Sequence, residues 1–116
     1  MPIPFERATL NLKLFEMRRE PMLREARQWF LMDFNPGSFE ELLALAGGER
    51  NREFRMVLSY WEMAASLVTS RAIEADAFLA AHNQFVSTLA KVQPFLAETR
   101  AVMGEPDFCK QMEAVM

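Results

Sequence analysis

Apolar residues recur at helical spacing along the whole chain, and no segment sustains the two-residue alternation of a half-buried strand. In a first segment, about Phe5 to Glu20, Leu10, Leu14 and Met17 fall at i, i+4 and i+7. Pro21 interrupts this pattern, and proline suits the first turn of a new helix, where its missing N–H costs nothing. From Pro21 to about Phe34, Met22, Leu23, Ala26, Trp29 and Phe30 share one face. Asn35-Pro36-Gly37 then stops the chain. The pattern over residues 5–34 fits two helices or one kinked helix equally.

Ser38-Phe39-Glu40-Glu41 reads as a capping box, with a serine N-cap and a glutamate three residues on. It predicts a short helix to about Ala46, ended by Gly47-Gly48. Asn51 is a candidate N-cap for the longest element, about Arg52 to Ala72. Projected at a helical period, Arg52, Arg55, Ser59, Glu62, Ser66 and Thr69 form a polar stripe. Phe54, Leu58, Trp61, Ala65 and Val68 form one apolar stripe, and Met56, Tyr60, Met63 and Leu67 another. A helix with two apolar faces touches neighbours on two sides, so this one is expected at the centre. If the Trp61 ring is fully buried there, Trp61→Ala costs about 3–5 kcal/mol.

A further helix is expected over about Ala75 to Val92, burying Phe78, Leu79, His82, Phe85, Val86 and Leu89. Pro94 removes an N–H and clashes one turn back, so the chain should restart there and run to Met103, closed by Gly104. Pro106 to Met116 is a last short helix with Phe108, Cys109, Met112 and Val115 as its apolar positions. Short connections favour antiparallel neighbours, giving a helix hairpin over about 52–92. The expected architecture is one all-α domain over residues 1–116, a compact irregular bundle around the long helix.

The composition narrows the function. At 116 residues the chain can bury a core without disulfides or metal. Its net charge of −3 supplies no basic field for a phosphate backbone, so nucleic-acid binding is disfavoured. Cys109 is the lone cysteine and reads as a small apolar residue. The longest uncharged run, Met63 to Ser70, is far short of a membrane span, and the N-terminus lacks the apolar core of a signal peptide. A cytoplasmic location is the default expectation. No Walker motif, dinucleotide fingerprint, zinc spacing or nucleophile elbow occurs, so no cofactor, metal or catalytic residue is expected.

His82 is the one histidine, and its helical phase sets it within an apolar face. It reads as a buried, hydrogen-bonded side chain, or more sharply as a base or ligand in a pocket between helices. Leu79 stands three residues before it, which removes the Glu-x-x-His pattern of di-iron bundles. Glu40-Glu41, Glu74 and Asp76 lie near helix starts, where carboxylates complement the dipole. Arg18, Arg19, Arg24 and Arg27 alternate with Glu16, Glu20 and Glu25, as on a solvated face. Nine methionines and ten phenylalanines are the odd compositional feature; most of them read as core, with a leftover patch as the alternative. Methionine also recurs on surfaces that accept partners. A patch left over would be covered by a homodimer or another protein. The candidate pocket or interface residues are His82, Trp61, Tyr60, Met56, Met63 and Phe85. The alternative to an interaction module is a small apolar-ligand or sensor domain with its pocket near His82.

The second half carries Trp61-Glu62 in an apolar helix, the Ala72-Ile73-Glu74 turn, Phe85, Val92-Gln93-Pro94-Phe95-Leu96, Arg100, and Gly104-Glu105-Pro106 with Phe108 beyond. Arg18-Arg19-Glu20-Pro21-Met22 is compatible with the same pattern upstream. This order resembles the bacterial domain of unknown function 4760 family of small helical proteins. The resemblance implies a helical fold and a bacterial origin, and it implies no activity and no catalytic residue. Members often carry a membrane helix before this domain, and none is expected within residues 1–116.

Overall fold

A computed structural model describes residues 4–116. The described chain folds into helices α1 (Pro4–Met17), α2 (Pro21–Met32), α3 (Phe39–Gly47), α4 (Asn51–Thr69), α5 (Ala75–Ala81), α6 (Gln84–Val92), α7 (Leu96–Met103) and α8 (Lys110–Val115). No strand occurs among the described residues, and no helix is long and apolar enough to cross a membrane. The all-α bundle expected from the apolar spacing is what forms.

The long helix α4 is the strut. Phe54, Leu58, Trp61, Ala65 and Val68 are all buried, as one stripe requires. Val57, Tyr60 and Ala64 close a second face, and α2 and α8 make the most extensive contacts with the helix. Two ring clusters form the core. Phe30 stacks on Phe34 at 4.6 Å, with Trp29 and Phe54 around them. Trp61 meets Phe78 at 6.3 Å and Phe85 at 5.9 Å, in edge-on geometry. Edge-to-face pairs at such distances stabilise beyond their buried area.

Residues 5–34 make two helices. The Arg18–Glu20 turn separates them, Pro21 opens α2, and the Glu20 carboxylate accepts the Leu23 N–H at 2.9 Å. Ser38 caps α3 as its motif predicts, accepting from Glu41 N at 3.2 Å. The Glu41 carboxylate reaches back to Gly37 N instead of Ser38 N.

Other boundaries differ from expectation. Asn51 is the first residue of α4 and does not cap it; its side chain donates to Ala46 O at 2.8 Å and closes α3. α4 ends at Thr69 because Arg71 turns left-handed (φ 68°). Ala72 N then bonds Leu67 O and Arg71 N bonds Val68 O, the paired bonds of a Schellman ending. The helix expected over 75–92 breaks at His82 and Asn83. His82 N still donates to Phe78 O, but its backbone leaves the helix (φ −130°, ψ 62°), and its carbonyl accepts from Phe85 N. Val86, expected inside, is exposed as a result of the new phase. Gln93–Phe95 forms a 3₁₀ turn around Pro94, so α7 starts at Leu96. The last segment turns through Phe108 and left-handed Cys109 before α8 begins at Lys110.

Candidate functional site

His82 sits where α1, α4 and α5 converge and is fully buried. Its Nε2 lies 2.8 Å from Asn11 Oδ1. Asn11 Nδ2 donates to Ala77 O at 3.2 Å, which aims the amide oxygen at the ring. An amide oxygen only accepts, so Nε2 carries the proton in the neutral ring. Nδ1 is buried and has no hydrogen-bond partner among the described residues. Phe78 and Trp61 flank the imidazole at 5.1 and 6.0 Å. Burial first, then the positive charge of Arg18, holds the His82 pKa below its ordinary value, and the Asn11 bond opposes them. The ring is therefore a neutral donor embedded among aromatics.

A polar network continues from this point. The Tyr60 hydroxyl donates to Leu14 O near the end of α1, and burial pushes its pKa up to about 12 against the pull of Arg18 and Arg27. Arg27 donates to Arg18 O at 2.8 Å and to the Gln84 side chain. The α1–α2 turn is thus tied to α4 and to the start of α6. The His82 side chain bonds to the Asn11 amide, and among the described residues no carboxylate or thiol bonds to it. Among the described residues, no three His, Cys, Asp or Glu side chains gather as a metal would need.

Of the six residues singled out above, four lie in the closed core: His82, Trp61, Phe85 and Tyr60. Tyr60 meets Trp61 edge-on at 4.9 Å. Met56 is half-buried and Met63 is exposed on α4.

Two open grooves lie elsewhere, and none of those six residues lines either. The larger, about 960 Å³, runs between α3, α4 and the Gly104–Cys109 segment, with Leu43, Phe54, Leu58 and Met103 on its walls and Arg55 and Ser59 at its edge. Its Cys109 thiol is pushed up to about 12, by burial first and then by the charge of Glu62. Glu62 itself is engaged: its two carboxylate oxygens accept Gln111 N at 3.0 Å and Met112 N at 2.9 Å. The smaller groove, about 570 Å³, runs between α1 and α5 and includes Leu12, Phe15, Ala77 and Ala81.

One feature escaped the reading by apolar stripes. On α1, Phe5 and Leu12 are 76 % and 64 % exposed, Phe15 is 41 % exposed, and Ala8 lies open between them. They point away from buried Leu14. The signal was present in their spacing but was overshadowed by Leu10 and Leu14, which take the inward face.

A family model described as Domain of unknown function (DUF4760) matches residues 5–116. No curated protein and no solved structure matches the chain.

Proposed function

The chain belongs to the family of the domain of unknown function DUF4760, and from that premise we propose that it is a non-catalytic interaction module that works by self-association. The observation that carries this reading is the apolar outer face of α1, where three large side chains stand in solvent beside a groove. Contiguous exposed apolar surface of this kind marks contact sites. The reading expects a discrete dimer in sedimentation velocity at tens of micromolar chain. Leu12→Glu should yield a monomer with an unchanged helical circular-dichroism spectrum, because Leu12 is 64 % exposed and lies outside the buried core. A wild-type monomer throughout that concentration range would overturn the reading.

The larger groove supports a second reading, an apolar small-molecule site. Its volume falls within the roughly 300–1,000 Å³ usual for such sites. An environment-sensitive apolar dye should then bind at unit stoichiometry and be lost in Leu43→Glu. Binding that survives this change would speak against the groove.

A further inference from the structure

We infer that Arg18 and Arg27 form a binding site for an oxyanion of the phosphate class, where the α1–α2 turn meets the start of α6. The site goes beyond self-association and does not depend on it.

The cations at this turn have no counter-charge. In the sequence, Arg18, Arg24 and Arg27 are interleaved with Glu16, Glu20 and Glu25, yet in the fold the two sets do not pair. Glu20 turns to Leu23 N, and Glu16 and Glu25 stay exposed. Among the described residues, Arg18, Arg24 and Arg27 form no ion pair, whereas Arg7, Arg50, Arg100 and Lys110 each do. Like charges gather instead. Burial first, then the charges of Arg18 and Arg24, hold the Arg27 pKa below its ordinary value, with Tyr60 opposing them. A chain of net charge −3 has carboxylates to spare, so a cation cluster left without one favours an anion from outside.

The donors are unmet as well. The Arg18 guanidinium lies over the Phe15 ring at 4.8 Å and makes no hydrogen bond among the described residues. Its Nη1 is buried without an acceptor. Arg27 Nε is likewise buried and unpartnered. The two amino groups of Arg27 are pinned, Nη2 to Arg18 O at 2.8 Å and Nη1 to the Gln84 side chain, and each keeps a second N–H. Donors withdrawn from water without an acceptor are costly.

A phosphate suits this arrangement better than a carboxylate. Guanidinium forks hold oxyanions through parallel N–H···O bonds. One fork already satisfies the two oxygens of a carboxylate. Two forks from different elements, the turn and α2, fit the three outer oxygens of a phosphate monoester. Neutral acceptors fix Arg27 and the Phe15 ring steadies Arg18, so little freedom is lost on binding. α6 adds to the field. Its first turn carries no acidic residue and no side-chain cap, and Gln84, its first residue, is the one that Arg27 touches. One local site of this kind needs no chain-wide basic surface, unlike a nucleic-acid interface.

Inorganic phosphate, titrated into the full chain against chloride at matched ionic strength, tests the site. Phosphate should raise the thermal midpoint saturably at millimolar concentration and shift the amide resonances of Arg18, Arg19 and Gln84. Arg18→Gln removes a repelling charge and no hydrogen bond. It should leave the midpoint in chloride unchanged or higher, yet weaken phosphate binding at least about tenfold. Arg27→Gln should weaken binding as much, and Arg55→Gln, beside the larger groove, should not. Phosphatidylcholine vesicles carrying phosphatidic acid separate the sources of the phosphate. Flotation that Arg18→Gln abolishes places it on a lipid headgroup, and phosphate binding without flotation places it on a soluble ligand. An equal response to phosphate and chloride, with no flotation, would overturn the site, since screening alone then accounts for it. So would phosphate binding that Arg18→Gln leaves intact.

Discussion

Protonating His82 would put a positive charge into a closed nest of rings beside Arg18, with only an amide to receive it. Its pKa in the folded chain is therefore depressed below the ordinary value of 6.5. Between the two values the unfolded chain binds a proton that the folded chain does not, so stability falls as pH drops below about 6.5 and is independent of this residue above. The urea midpoint should hold steady above neutrality and decline through mild acid, before carboxylates begin to titrate. One proton limits the slope to about 1.4 kcal/mol per pH unit. His82→Gln should lower the midpoint but flatten its pH dependence; an unchanged slope in the variant would refute the assignment. The burial of His82 was legible from its helical phase, since every fourth residue or so around it is apolar. The helix break at the same residue was not. No glycine or proline marks it, and the bond that rewards it comes from Asn11, on an element 71 residues away.

The helices are held at their ends by side chains from other helices. Glu62 on α4 accepts the first free N–H groups of α8, which at six residues is too short to persist on its own. Lys91 on α6 donates to Phe30 O and Leu31 O at 2.8 Å each and closes the C-terminal end of α2, where a cation also suits the dipole. Glu62→Ala should cost about 1.5–3 kcal/mol, the range for hydrogen bonds to a charged group. Amide exchange at Gln111 and Met112 should accelerate more than exchange in α4. Uniform acceleration across the chain would show that the carboxylate does not act on α8. Local caps were readable: Ser38 announces α3 because its partner is three residues away. Glu62 looked like one more member of a solvated stripe, because its partners lie 49 and 50 residues on. Arg71 hid the end of α4 for a different reason. It takes the left-handed position that glycine usually marks.

At the scale of the whole molecule, the stripe of Phe54, Leu58, Trp61, Ala65 and Val68 was enough to set α4 against the core, whereas of the second expected stripe only Tyr60 is buried, Met56 and Leu67 are half-buried and Met63 is exposed. The outer face of α1 needed the structure, because spacing alone does not say which of two apolar sides meets the core. Assembly through that face has a thermodynamic signature. A dimer is stabilised by mass action, so the thermal midpoint should rise with chain concentration in the wild type and stay flat in Leu12→Glu. A flat wild-type midpoint would argue against assembly coupled to folding. The two tryptophans make these processes separable by light. Trp29 is 7 % exposed among Phe30 and Phe34, Trp61 is fully buried among Phe78 and Phe85, and neither belongs to the α1 stripe. Their emission should stay blue while copies come and go, and turn red only when the chain itself opens. Trp29→Phe and Trp61→Phe would each leave a single emitter, one for each ring cluster, so that the two halves of the core can be watched loosening independently.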